Sequence, residues 1–281
     1  MRVDKIWLYR LIIVVIVLGC TIHATQAQEN KAKLPMISTH RGASSVTPEN
    51  TLIAFSKAIE LGADFIELDV RTSADGVQVI MHDGSLKRTT GLDATVEKTT
   101  LAEIKKLSAG FWFGEKYKDQ KVPTLEEVCE LVAEENKNRK HPAKLYVDSK
   151  EINAHEVLLI LNKYGLLDSA VFYGSVNTLV EIKKIHAHAR VMPSYPGKEK
   201  MDDLIHKIAP YAVDVDYDQL STETISFCHA NGIKVFSDLL GKHDVPSAYR
   251  LAIQLQIDLI QTDNISGVLQ VYKEVTESKR K

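Results

Sequence analysis

Two histidines stand where apolar, β-branched runs end: His40 after Ile37-Ser38-Thr39, and His82 after Val77-Gln78-Val79-Ile80-Met81. Arg41 follows the first, Asp83 the second, and between the two lies Glu67-Leu68-Asp69. Runs of this kind read as strands finishing at a rim. Imidazole exchanges a proton near neutrality, a guanidinium offers a planar fork of donors to phosphate oxygens, and grouped carboxylates suit a hard divalent cation. Delivered together, they imply phosphate-ester chemistry assisted by a divalent metal.

Glu67 and Asp69 sit at i and i+2 of an otherwise apolar strand and so face one side. Asp148 lies in a second apolar stretch, Leu145–Lys150. Three inward carboxylates without a cation repel one another and are costly to bury; Mg²⁺ or Ca²⁺ resolves that. The competing reading is a structural ion-pair network with Arg71 and Lys150. A single histidine would be read as core or surface, but two, each ending a strand beside Arg or Asp, are expected to form an acid–base pair. Arg41 is the candidate phosphate ligand. Asp83 either orients an imidazole or caps the next turn. Glu49 either starts a helix or reaches the metal or a sugar hydroxyl. Trp112 and the phenylalanines around it form lid core or substrate wall, while His186, His188, His206, His229 and His243 lie in polar contexts with no role assigned.

These residues need a frame that brings strand ends together. Leu34–Thr39 reads as the first strand. Thr47-Pro48-Glu49-Asn50 is expected to open a helix, with Thr47 as cap and Pro48 in the first turn. Phe65–Arg71 is the second strand, and a five-residue turn, Thr72 to Gly76, leads into Val77–Asp83. So short a connection predicts an antiparallel hairpin. Symmetry about Ala74 would bring His82 level with Ile66. Residues 84–122 are irregular and read as an insertion or lid, with a short helix over Leu101–Leu107. Pro123-Thr124-Leu125-Glu126-Glu127 restarts a helix. Strands are then expected at Leu145–Lys150, Ala170–Ser175, Arg190–Tyr195, Tyr211–Tyr217, Lys234–Leu240 and Leu259–Asp263, with amphipathic segments between. Without the hairpin's return arm, eight strands remain for a parallel barrel. The prediction is an α/β fold, a distorted (β/α)8 TIM barrel over residues 34–275 with a small insertion after the His-Asp strand. A doubly wound sheet would want a glycine-rich phosphate loop after strand 1, which is missing.

The 281 residues carry 35 basic and 37 acidic side chains, formal charge −2, with no basic stripe. That argues against a nucleic-acid partner and for local capture of a small anionic substrate; oligomeric state is not legible. Residues 1–27 read as a targeting segment: Arg2, Lys5 and Arg10, an apolar run from Leu11 to Gly19, and Thr25-Gln26-Ala27 suited to cleavage. A rival cut before Cys20, in Val17-Leu18-Gly19-Cys20, would leave a lipid anchor. Either way the protein is expected to be exported, as a periplasmic, secreted or membrane-anchored form. Cys129 and Cys228 are expected as two buried thiols.

The sequence resembles the glycerophosphodiester phosphodiesterase family. The matching marks are His40-Arg41-Gly42, Pro48-Glu49-Asn50-Thr51, Glu67-x-Asp69-Val70, Asp75-Gly76, His82-Asp83, Trp112-Phe113, Pro123-Thr124-Leu125-Glu126-Glu127 and Thr262-Asp263, from about residue 36 to 270. The resemblance implies a TIM barrel that cleaves glycerophosphodiesters to sn-glycerol 3-phosphate and an alcohol. His40 and His82 would be its acid–base pair, Glu67 and Asp69 its metal ligands, and Arg41 its phosphate ligand. Where the family reads Glu-x-Lys in strand 4, this chain has Asp148-Ser149-Lys150, giving a third ligand on a shorter arm and Lys150 as a second substrate-binding group. The related sphingomyelinase D group also uses Asp there. Phe236-Ser237-Asp238-Leu239 replaces Trp-Thr-Val-Asn, and Ile265 replaces a proline, changes that bear on the pocket wall. Two other activities share parts of the pattern: phospholipase D-like hydrolysis of lysophospholipids and, less closely, a phosphoinositide-type phospholipase C. A catalytically silent exported binding protein is the alternative outside enzymology.

Overall fold

A computed structural model describes residues 33–278; the expected leader, Cys20 included, lies outside the described residues. The strands are β1 Met36–Thr39, β2 Phe65–Thr72, β3 Gln78–Ile80, β4 Lys144–Glu151, β5 Val171–Tyr173, β6 Arg190–Met192, β7 Ala212–Asp214, β8 Lys234–Asp238 and β9 Leu259–Thr262. The helices are α1 Leu52–Glu60, α2 Lys87–Thr90, α3 Leu101–Ile104, α4 Leu125–Asn136, α5 Ala154–Lys163, α6 Val176–Ile185, α7 Met201–Ile208, α8 Thr222–Ala230, α9 Pro246–Leu255 and α10 Ile265–Ser278.

Eight parallel strands run in the order β6-β5-β4-β2-β1-β9-β8-β7, and β3 pairs only with β2. The ring closes between β6 and β7 through a parallel bridge from Ser194 to Asp214, supported by the Tyr211 N–H on the Val191 carbonyl and the Tyr195 N–H on the Asp214 carbonyl, at 2.9 and 2.7 Å. This is the expected TIM barrel.

Alternation along β2 builds both layers. Ile66, Leu68 and Val70 join the apolar shell beneath the helices, where each fully buried aliphatic side chain is worth roughly 1.5–3 kcal/mol. Phe65 points the other way, into a plug with Tyr146, Val171, Met192, Ala212, Phe236 and Leu259. Phe65 and Phe236 meet edge to face at 6.0 Å, a favoured aromatic geometry. Glu67 and Asp69 follow Phe65 on its face, so the plug forms the floor on which the carboxylates stand.

The hairpin is antiparallel, but its register pairs Val70 with Ile80, Arg71 with Val79 and Thr72 with Gln78. Its centre is therefore Asp75 rather than Ala74, and His82 falls level with Leu68, between Glu67 and Asp69. A shift of one in the centre moves the partner by two, so the face is kept. The helix expected at Thr47 begins later: Thr51 is the N-cap of α1, accepting from the Ala54 N–H, while the Thr47 hydroxyl donates to the Ala43 carbonyl at 2.8 Å. Asn50, at φ 55°, occupies the left-handed region and cannot continue a helix.

The insertion carries its own apolar cluster of Val79, Met81, Leu86, Val96, Ile104, Ala109 and Val122. Its helix α3 ends at Ile104, short of the expected Leu107. Cys129 and Cys228 are free and buried. Among the described residues, no helix is long and apolar enough to cross a membrane.

Candidate active site

His40, Glu67, Asp69, His82, Asp148 and Lys150 line one cavity of about 200 Å³ at the carboxyl ends of the strands, together with Tyr146, Tyr173, Asp238 and Gln261. Arg41 does not line it, but lies against Asp69, which does.

The turn after β1 is built for close approach. Arg41 and Gly42 both hold positive φ, 55° and 79°, the former at a cost of roughly 1–2 kcal/mol. A Cβ on Gly42 would lie 2.8 Å from the Ala54 backbone, so only glycine fits. This geometry aims the Arg41 N–H at Glu67 Oε2, 2.6 Å away. The Arg41 side chain donates from Nη1 to Glu49 Oε1 at 3.0 Å. Its Nε lies 3.6 Å from Asp69 Oδ2 and has no hydrogen-bond partner among the described residues.

Each imidazole is held by its Nδ1. His40 meets Asp263 Oδ1 at 2.9 Å and His82 meets Asp83 Oδ1 at 2.6 Å, which leaves Nε2 of both rings to address a ligand. A carboxylate on Nδ1 fixes the tautomer and stabilises the imidazolium. Asp83 therefore orients its neighbour, the first of its two sequence readings. Burial works to raise the Asp263 carboxyl, but hydrogen bonding and charge from His40, with the Ser44 hydroxyl, hold it below the usual range. Asp83 is held well below that range by hydrogen bonds from Arg88, with His82 adding to them.

Glu67, Asp69 and Asp148 each offer an oxygen within 4.8 Å of the others. Glu67 and Asp69 are 2% and 1% exposed. Burial raises the Glu67 carboxyl well above its ordinary value, and the charges of Asp69 and Asp148 add to that. Burial also pushes Asp148 up, against a hydrogen bond from Lys150. The Lys150 ammonium lies 2.5 Å from Asp148 and 3.4 Å from Asp69. Burial works against its charge, but Asp148, Asp69 and Glu67 together outweigh it and raise its pKa. Lys150 thus meets the ion-pair reading halfway. Arg71 does not: it holds the His82 carbonyl at 2.9 and 2.7 Å and Glu151 at 2.6 Å, outside the carboxylate group. The Lys150 ammonium and an Arg41 guanidinium shared with Glu49 do not balance three clustered carboxylates, two of them fully buried, and the oxygen-only donor set fits a hard divalent ion.

Sequence reasoning missed several neighbours. Asn50 was expected only to start a helix, yet its amide donates to Asp69 Oδ2 at 2.7 Å. Asp263 carried a motif match but no role; barrel closure supplies one, because β1 and β9 pair Thr39 with Thr262 and the next residues along are His40 and Asp263. Glu49 pairs with Arg41 and Arg88. Deep in the wall, burial lifts Asp238 to about 6, with Asp148 adding and His40 opposing. Burial and the Asp238 charge also raise Asp214 well above its ordinary value. Phe111 and Trp112 are 61% and 43% exposed, and neither lines the cavity.

Residues 40–266 match the sequence model of the Glycerophosphoryl diester phosphodiesterase family. The chain belongs to this family. A glycerophosphodiester phosphodiesterase of Caldanaerobacter subterraneus subsp. tengcongensis is 35% identical over 208 residues, 72% of this chain and 84% of that one. One from Bacillus subtilis is 32% identical over 219 residues, 69% of this chain and 72% of that one. Among solved structures, the glycerophosphodiester phosphodiesterase of Thermotoga maritima has a TM-score of 0.68 at 31% identity, covering 85% of this chain and 98% of its own. An Oleispira antarctica phosphodiesterase in complex with the product sn-glycerol-3-phosphate gives 0.76 at 25% identity, covering 85% of this chain and 97% of its own. This member of the glycerophosphoryl diester phosphodiesterase family is accordingly an enzyme, a phosphoric diester hydrolase, rather than a silent scaffold.

Proposed function

We propose that the protein hydrolyses glycerophosphodiesters to sn-glycerol 3-phosphate and an alcohol, with His40 and His82 as the acid–base pair. The observation that carries this is the shared geometry of the two rings: each is tied through Nδ1 to a carboxylate and each lines the cavity that holds the acidic triad. One ring accepts the proton of the attacking hydroxyl at Nε2; the other, protonated, donates from Nε2 to the departing alcohol. The attacker is a water, which gives sn-glycerol 3-phosphate directly, or the substrate's own 2-hydroxyl, which expels the alcohol to leave a cyclic phosphate that a water must then open to the monoester. Arg41, whose Nε–H is an unpartnered buried donor, and Lys150 hold the phosphodiester oxygens. Glu67, Asp69 and Asp148 would hold Mg²⁺ or Ca²⁺, which when bound supplies positive charge against the phosphoryl oxygens.

The test is hydrolysis of glycerophosphocholine, with products identified, by the wild-type, His40→Ala and His82→Ala proteins, each stripped of metal and then resupplied with Mg²⁺ or Ca²⁺. The expected result is metal-dependent release of sn-glycerol 3-phosphate, with a loss of about 10²–10⁴ in rate for each variant. A His82→Ala protein of wild-type activity would refute the assignment, and preference for a lysophospholipid would favour the phospholipase D-like reading. The same proposal takes the protein as exported, by cleavage after Ala27 or lipidation at Cys20; the mass of the mature chain distinguishes the two.

A further inference from the structure

Arg88 belongs to α2, in the insertion, and does not line the cavity. Its guanidinium is shared between two carboxylates. Nε and Nη2 donate to Asp83 Oδ2 and Oδ1 at 2.7 and 3.1 Å, while Nη1 and Nη2 donate to Glu49 Oε2 and Oε1 at 2.8 and 2.7 Å. Both carboxylates lead inward. Asp83 Oδ1 is 2.6 Å from His82 Nδ1, and Glu49 Oε1 accepts from Arg41 Nη1 at 3.0 Å. An unbroken path, His82–Asp83–Arg88–Glu49–Arg41, therefore joins the end of the hairpin to the turn after β1 by way of the insertion.

We infer that Arg88 is a positioning residue that fixes the His82 imidazole through Asp83 and the Arg41 guanidinium through Glu49 at the same time. This rests on the roles given above to His82 and Arg41. The geometry demands arginine: only a planar fork can address two carboxylates bidentately, and an ammonium is a point donor. Neither carboxylate is left to choose another partner. Burial works to raise Glu49, yet Arg88 and Arg41 keep it ionised. The arrangement also ties the packing of the insertion to the alignment of the two groups that must meet one phosphodiester. Movement of α2 would disturb both together, whereas a substitution at Asp83 or Glu49 disturbs one.

The experiment is steady-state kinetics of the full chain on glycerophosphocholine for D83N, E49Q, R88Q, R88K and the double variant R88Q/D83N, with melting temperatures alongside. Through Asp83 the effect is on proton transfer, so D83N lowers kcat about 10–100-fold with KM little changed. Through Glu49 it is on phosphate binding, so E49Q raises KM more than it lowers kcat. R88Q does both, R88K recovers part of the loss, and R88Q/D83N has a kcat no lower than the worse single variant, because the two act along one path. Independent, multiplying losses in the double variant, or wild-type kcat and KM in R88Q, would overturn the inference. If R88Q does not fold, R88K replaces it in the cycle and the same criterion applies. H82A measured in parallel separates the two levels: wild-type activity in H82A removes the reading of the site, whereas an inactive H82A with an additive cycle removes only the role of Arg88.

Discussion

Replacing Asp263 with Asn tests whether a carboxylate from the last strand governs the first histidine. The His40 Nδ1 to Asp263 Oδ1 distance is 2.9 Å, and 18% of the His40 and 39% of the Asp263 side chain is exposed. Coulomb's law gives roughly 4 kcal/mol for unit charges about 4 Å apart at an effective dielectric constant of about 20. Exposure of more than a third of the carboxylate screens that to about 1 kcal/mol. The imidazolium that forms during turnover loses the partner on its Nδ1. Asp238 remains as the buried negative group acting on His40, Arg41 still flanks it in sequence, and Ser44 keeps its reach to position 263. An asparagine can also present its N–H to Nδ1 and hold the wrong tautomer. The expected result is a kcat about 10–100-fold lower, with KM little changed. Initial rates over a range of glycerophosphocholine concentrations, with saturating metal, check this. A D263N enzyme with wild-type kcat would refute the reasoning.

Two further outcomes follow from the acidic floor. Burial lifts the Glu67 pKa above its unfolded value, so the folded state binds more protons than the unfolded one between the two values. Metal-free protein is fully stabilised below the unfolded value of about 4.3 and loses stability as pH rises through the raised one; in chelator at pH 8, Glu67→Gln should therefore melt above wild type while being inactive, and added metal should raise the melting temperature of wild type alone. Asn50→Ala leaves Asp69 Oδ2 without its 2.7 Å donor and places alanine at φ 55°, so denaturant unfolding should show a loss of about 1–3 kcal/mol.

How far these features could be read from the chain depended on how local their causes were. The alternation of Phe65, Glu67 and Asp69 against Ile66, Leu68 and Val70 is a period-two signal, and it named the inward carboxylates correctly as a facing pair. The strands after residue 144 were placed to within a few residues because each is a short apolar run between helix patterns. The start of α1 was misplaced because Thr47 and Thr51 are both plausible caps. Asn50, held left-handed with its amide on Asp69, decides between them, and that contact joins residues 19 positions apart. The turn centre missed by one because a loop of that length permits several closures. The place of Asp263 at a strand's end was legible, but its role, like that of Arg88, was out of reach for a different reason. Their partners are set by barrel closure and by packing of the insertion, and nothing in the residues beside them announces either.

Closure has a bearing on synthesis as well as on chemistry. Because β1 is seated between β2 and β9, the first strand acquires its second neighbour only when the last has been made, and the contact from His40 to Asp263 spans 223 positions. A nascent or C-terminally clipped chain can hold the hairpin and the acidic strand yet lack an aligned first histidine. Competence therefore arrives all at once, with the final segment, and partially made molecules should be inert rather than slow.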